Sequence, residues 1–290
     1  MGSSLISNKG LPCLIFILFQ SVKRKGGIAL SVPLLAVENV TKTYNNDSHE
    51  VVALKNISLS VEKGQFVSIV GPSGCGKTTL LEILCGLRTP SSGAVKIKGE
   101  TITGPHKSIG IVFQEESTFP WRTVLENVEF GLQMQGVGKS ERREKARRMI
   151  AMVGLSGFEH AYPYQLSGGM KQRVAIARTL VTEPEIVVMD EPFGALDEQT
   201  RLILGGELLK IVEQTKATVV LVTHSIQEAA LLSDLIVVLS ARPGRIKELI
   251  RSPLPKPRDA TILTTPEFAN ITQRIWSSLE EEALMFGKGN

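Results

Sequence analysis

Three short runs along the chain, Phe66–Val70, Ile186–Met189 and Val219–Val222, are apolar almost throughout and rich in Val and Ile. Such runs predict parallel strands covered on both faces. A different pattern precedes them. Leu35, Val37 and Val40 mark a strand that is expected to end in a polar turn at Tyr44–Glu50, and Ile57–Val61 alternates at period two before Lys63-Gly64. Two half-buried antiparallel strands joined by a loop fit this stretch. Ser140–Val153 and Met170–Leu180 carry apolar residues at helical spacing, and Pro266–Met285 reads as a C-terminal helix.

Each buried run ends in polar residues able to do chemistry. Ligands of open parallel sheets collect at the carboxyl ends of the strands, so the three ends are expected to converge on one site. After the first run comes Gly71-Pro72-Ser73-Gly74-Cys75-Gly76-Lys77-Thr78-Thr79. This is GxxxxGK[ST] between a strand and a helix, the pattern of a phosphate-cradling loop. Its glycines let backbone N–H groups converge on an anion, Lys77 places a point charge on the β- and γ-phosphates, and the Thr78 hydroxyl suits Mg2+. The loop predicts binding of Mg-ATP. After the second run, Asp190 is a candidate Mg2+ ligand and Glu191 a candidate to polarise the attacking water. The alternative, a helix-capping turn, loses weight beside the phosphate loop.

Leu166-Ser167-Gly168-Gly169-Met170 forms a second candidate anion nest at a helix start. One ATP does not require two nests in one monomer, so the economical reading is that this one closes on the γ-phosphate held by a second copy.

With these motifs in order, the chain resembles the nucleotide-binding subunit of an ATP-binding-cassette transporter over roughly residues 34–250. The resemblance implies an α/β fold with a P-loop NTPase (RecA-like) core, an antiparallel β subdomain and a helical signature subdomain at about 116–170. It implies that Gly71–Thr78 is the Walker A loop and that Gln114 occupies the Q-loop beside the metal. Ser167, Gly168 and Gly169 fall in the signature, Asp190 and Glu191 in Walker B, and Asp197 in the D-loop. His224 becomes the switch histidine aimed at the γ-phosphate, and Tyr44 the aromatic that stacks on adenine. Met170 departs from the commonest signature, which has Gln, while Ser167 and Gly169 are intact. Two such subunits would sandwich two ATP molecules head to tail, as a homodimer, on transmembrane permease subunits served by a solute-binding protein, at the cytoplasmic face of a membrane. Gln114–Trp121, His224–Ala230 and Leu239–Gly244 resemble the bacterial importers of nitrate, sulfonate and taurine. Phe119-Pro120-Trp121 is expected to be a socket for a permease helix. The rival readings are a soluble cassette acting on DNA or ribosomes, a regulatory module without turnover, and an importer for another solute.

Composition adds limits. The chain has 290 residues, 42% hydrophobic and 21% charged, with a net charge of +4. That balance is ordinary for a globular protein, and no dense Lys/Arg stripe supports nucleic acid as a partner. Three cysteines without CxxC or Cys/His spacing argue against a disulfide framework or a zinc site. Leu11–Phe19 is apolar but shorter than a bilayer span, its cluster of positive charge follows rather than precedes it, and Ile6 breaks a myristoylation pattern. Residues 1–33 are expected to be a variable extension. The three prolines in Ser252–Arg258 suggest a linker ahead of the last helix, within a C-terminal segment at 251–290. The Gly205-Gly206 pair sits oddly inside an expected helix.

Overall fold

The computed structural model describes residues 32–46, 49–114 and 117–287. The expected N-terminal extension thus lies, save for its last two residues, outside the described residues.

The antiparallel pair is longer than the apolar positions alone suggested. Strand β1 (Leu35–Asn46) pairs with β2 (His49–Val61) from Leu35↔Val61 through Tyr44↔Val51 to Asn46↔His49. The expected polar turn at Tyr44–Glu50 is therefore mostly strand. Asn45 and Glu50 are exposed on this two-stranded extension, where pairing of the backbone does not require apolar residues. Strands β4 (Ser92–Ile97) and β5 (Glu100–Thr101) complete a sheet in the order β2-β1-β4-β5.

The core sheet holds β3 (Phe66–Val70), β6 (Ile109–Val112), β7 (Ile186–Asp190), β8 (Thr218–Val222), β9 (Leu235–Leu239) and β10 (Ile246–Arg251) in the order β10-β9-β3-β8-β7-β6. All neighbours are parallel except β10, which runs antiparallel at the edge. Strands β3, β8 and β9 are buried at every position, which explains why their sequences show no alternation. Their side chains feed two separate cores. Val67, Ile69, Val188 and Val220 pack with helix α1 (Lys77–Leu84) and the antiparallel sheet, while Phe66, Val187, Val219 and Leu221 pack with the helices of the opposite face.

Those helices include α2 (Val124–Val128), α3 (Phe130–Met134), α4 (Lys139–Met152) and α5 (Gly168–Leu180), which agree with the expected helical middle. They are followed by α6 (Glu198–Thr215), α7 (Ile226–Leu232) and α8 (Pro266–Gly287). At Gly205, where α6 packs on α7, a Cβ would meet Leu232 Cδ2 at 3.4 Å, an ordinary contact, so the packing gives no reason for glycine there.

The Pro-rich Ser252–Arg258 stretch differs from a loose linker. Leu254 and Arg258 are buried. Arg258 donates from Nη1 to Leu232 O (3.1 Å) and from Nη2 to Asp234 Oδ1 (2.9 Å), and Lys256 reaches Asp234 Oδ2 (2.9 Å). This strap leads into α8, whose Phe268, Ile271 and Ile275 enter the same core as Ile236 and Val238. The described residues from Pro33 onward form one compact unit.

Candidate functional site

The carboxyl ends of β3, β7 and β8 lie side by side in the core sheet, as the convergence argument requires. From β3 the chain enters the phosphate loop. Gly76 takes the left-handed conformation (φ 101°) that caps α1, and a Cβ there would sit 2.8 Å from Leu54 Cδ2. Both the backbone angle and the packing demand glycine. Lys77 is buried and folds back over the loop, donating from Nζ to Gly71 O (2.9 Å) and Pro72 O (3.1 Å). A cavity of about 370 Å3 opens above it, lined by Tyr44, Ser73, Gly74, Lys77, Thr78, Thr79 and Glu191 among others. The Tyr44 hydroxyl lies 3.2 Å from Thr79 Oγ1, so β1 delivers this ring to the loop. The Arg88 guanidinium lies 5.3 Å and the Lys42 ammonium 5.4 Å from the ring centroid, which makes its surroundings electropositive.

The second cluster forms around Glu191. This residue has φ 43° and its N–H donates to Val222 O of the neighbouring strand (2.8 Å), which turns its side chain away from the sheet. His224 Nδ1 lies 2.9 Å from Glu191 Oε2, and Gln114 Nε2 donates to the same oxygen at 3.4 Å. Three residues singled out from distant segments thus share one carboxylate. Asp190 is half-buried, and burial, followed by the Glu191 carboxylate beside it, holds its carboxyl above the usual range, while Lys77 pulls the other way. A divalent cation would relieve both raising effects. The oxygen donors at Thr78, Asp190 and Gln114 are hard ligands of the kind Mg2+ takes together with phosphate oxygens and water. Among the described residues no cluster of three or more His, Cys, Asp or Glu could hold a metal unaided.

Sequence reasoning left the support of His224 unread. Ser225 N donates to Thr223 Oγ1 (3.0 Å), the Thr223 hydroxyl donates to Glu228 Oε2, and Glu228 N donates to Ser225 Oγ (3.3 Å). This ring of bonds closes the turn carrying His224. Glu228 is buried, and burial pushes its carboxyl up, partly offset by the Thr223 bond. The signal available in the sequence was Thr223 and Glu228 flanking the histidine, which an exposed helix start explains equally well.

Two predicted groups stand apart. Ser167 caps α5 by accepting from Met170 N (3.3 Å), leaving Gly168 exposed at the helix start and Gly169 half-exposed beside it. Asp197 caps α6 through Thr200 N (2.9 Å), and the Thr200 backbone and hydroxyl hold its carboxyl below the usual range. Neither Ser167–Gly169 nor Asp197 lines the 370 Å3 cavity. Of the cysteines, Cys75 and Cys85 are both buried, and burial pushes the Cys85 thiol up to about 12.

Comparison with known proteins agrees with this geometry. The ABC transporter family matches residues 54–194. An uncharacterised ABC transporter ATP-binding protein of Methanocaldococcus jannaschii is 55% identical over 250 residues, covering 86% of this chain and 92% of that protein. The nitrate import ATP-binding protein NrtD of a Synechocystis species is 44% identical, covering 84% of this chain and 94% of its own length. The aliphatic sulfonates import ATP-binding protein SsuB of Bacillus cereus is 43% identical, covering 87% and 98%. Among solved structures, a dimeric ATP-binding cassette in a post-hydrolysis state bound to ADP and Pi superposes with a TM-score of 0.66 at 37% identity, covering 75% of this chain and 98% of that one. With its phosphate loop and the paired carboxylates of β7 at adjacent strand ends, this chain belongs to the ATP-binding proteins of ABC transporters and is an ATPase.

Proposed function

We propose that the chain is the ATP-hydrolysing subunit of an importer for a small anion, working as a head-to-tail dimer on a membrane permease. The observation that carries the dimer is the separation of two anion nests. Lys77 and Thr78 line the cavity, whereas the exposed start of α5 at Ser167–Gly169 does not. A second copy supplies the missing face, with ATP between the nests. In this reading Glu191 polarises the attacking water. His224 and Gln114, both within reach of Glu191 Oε2, sense the γ-phosphate and the metal. Thr78, Asp190 and Gln114 would hold Mg2+, which would supply charge neutralisation at the phosphates. Tyr44 takes the adenine, and loss of the γ-phosphate opens the dimer.

The permease-facing surface is supported by the Phe119–Trp121 segment. Trp121 is 71% exposed and its ring lies 5.6 Å from Phe119, which stacks edge-on to Phe130 at 4.8 Å. Buried Asn127 pins this segment through Phe119 N (2.7 Å) and Phe119 O (3.1 Å). A rigid exposed aromatic is the feature expected of a docking surface. Among the described residues no helix is long and apolar enough to cross a membrane. Membrane attachment in this reading runs through the permease. The anion cargo rests on the nitrate and sulfonate relatives, and its solute-binding protein selects it.

The experiment is Glu191→Gln. The variant should retain ATP, form a dimer seen by light scattering at saturating Mg-ATP, and hydrolyse at least a hundredfold more slowly than the wild type. A monomer that still turns over would overturn the sandwich assignment. Co-purification of the membrane complex, followed by transport assays with nitrate and alkanesulfonates, tests the cargo.

A further inference from the structure

The phosphate loop has a close neighbour outside the Glu191 cluster. The turn between β9 and β10 is pressed onto it from the side. Gly244 N donates to Ala53 O and Lys55 N donates to Gly244 O, both at 2.9 Å, so the turn is bonded to β2. A Cβ on Gly244 would lie 2.1 Å from Cys75 O, a contact with the loop backbone itself that only glycine permits. Within the turn, Ser240 Oγ donates towards Ala241 O (3.1 Å) and Pro243 O (3.2 Å) and accepts from Arg245 N (3.0 Å). This fixed turn carries Arg242, which lines the same cavity as Ser73, Lys77 and Thr78.

We propose that Arg242 is a binding residue of the nucleotide site, contacting the phosphates as a second cation beside Lys77. The two cations share a resting arrangement. Lys77 Nζ is held by the carbonyls of Gly71 and Pro72 at 2.9 and 3.1 Å, and Arg242 Nη2 is held by the carbonyl of Gly74 at 3.3 Å. Each is satisfied by backbone oxygens of the loop whose N–H groups would cradle the anion. An arriving phosphate offers each a charged acceptor in exchange for a neutral one, and charge-assisted bonds are the stronger. The exposed guanidinium has five N–H donors in a planar fork, so it can grip a phosphate oxygen without abandoning Gly74 O. Tyr44, to which the proposed function gives the base, is bonded to the loop at Thr79, whereas Arg242 is bonded to it at Gly74.

The inference rests on the nucleotide reading of the loop, and the test separates the two. Equilibrium binding of Mg-ATP and Mg-GTP is measured on the full chain as wild type, Arg242→Ala, Arg242→Lys and Lys77→Ala, with thermal midpoints recorded for each. Arg242→Ala should weaken ATP binding about tenfold, the value of one charge-assisted bond. Arg242→Lys should recover part of that loss, and the ATP-to-GTP ratio should stay at its wild-type value. Wild-type ATP affinity in Arg242→Ala overturns the proposal. So does a loss confined to ATP, which would assign the arginine to the base. So does a loss accompanied by a lowered midpoint and left unrepaired by lysine, which would make it a structural clamp. If Lys77→Ala also binds ATP as the wild type does, the reading of the loop itself fails. If only Arg242→Ala does, the failure belongs to this inference alone.

Discussion

A single methyl group at Gly244 probes how the site is assembled. In Gly244→Ala the new carbon would stand 2.1 Å from Cys75 O, 3.1 Å from Leu54 Cδ2 and 3.3 Å from Ala53 O. Carbon and oxygen at ordinary contact stand more than 3 Å apart, so the turn must retreat by about 1 Å. The nearest obstacle is backbone, and no rotamer change removes it. Overpacking of this kind costs about 1–3 kcal/mol. The retreat also stretches the two 2.9 Å bonds that join Gly244 to Ala53 and Lys55, each worth about 1 kcal/mol. Together these give a loss of about 2–4 kcal/mol, read as a lower denaturant midpoint at unchanged slope. Because Cys75 lies in the phosphate loop, ATP affinity should fall with it. Gly206→Ala is the control of opposite sign. It lies in α6, nothing stands within 4 Å of the new carbon, and the helix should gain about 1 kcal/mol. A Gly244→Ala protein with wild-type midpoint and wild-type ATP affinity would refute the reasoning, since it would show that the turn does not bear on the loop.

Two further outcomes follow from buried charges. Arg258 has a side chain only 3% exposed, and Arg258→Ala leaves Asp234 with Lys256 and the Phe66 N–H (3.0 Å) as partners. The loss should be about 3 kcal/mol by chemical denaturation, and a change near zero would return Ser252–Arg258 to the status of a linker. Glu228 titrates above its unfolded value because of burial. Between those two values the native state binds more protons than the unfolded chain, so stability falls as pH rises through this window. Glu228→Gln keeps an acceptor for the Thr223 hydroxyl and removes the titration. Its stability relative to wild type should therefore increase from pH 4.5 upward and level off above the raised value, and a pH-independent difference would contradict the assignment.

The phosphate loop was legible because its chemistry is local. Successive N–H groups of Gly71–Thr79 need no distant residue to form a nest, and only glycine can hold the φ of 101° at Gly76. The uninterrupted apolar runs were equally direct, since a strand with both faces covered has no polar position to spare. Glu191, His224 and Gln114 were found through the order of motifs. Their meeting on one carboxylate oxygen follows from β7 lying between β6 and β8. Strand order is a long-range property, set by which buried faces complete each other, and no single segment encodes it.

Arg242 and Gly244 show the other side. In sequence they lie in Leu239–Gly244, a segment that resembles the importers of nitrate, sulfonate and taurine, but nothing nearby says what the arginine touches. Arg242 is 168 residues from Gly74, and the two meet because β9 pairs with β3 and carries the following turn to the mouth of the loop. The packed strap at Arg258 has the same origin, since its prolines describe local backbone stiffness while Asp234 and the core under α8 decide that it is held. The sequence alone thus determined the parts whose function resides in consecutive backbone: the phosphate cradle, the strand-end carboxylates and the capped helix start at Ser167. Tertiary structure decided which parts share a cavity, which helix start is left exposed away from it, and that Arg242 stands at the mouth of the loop. Such meetings depend on contacts between segments far apart in the chain, and those contacts are fixed only when the sheet order is fixed.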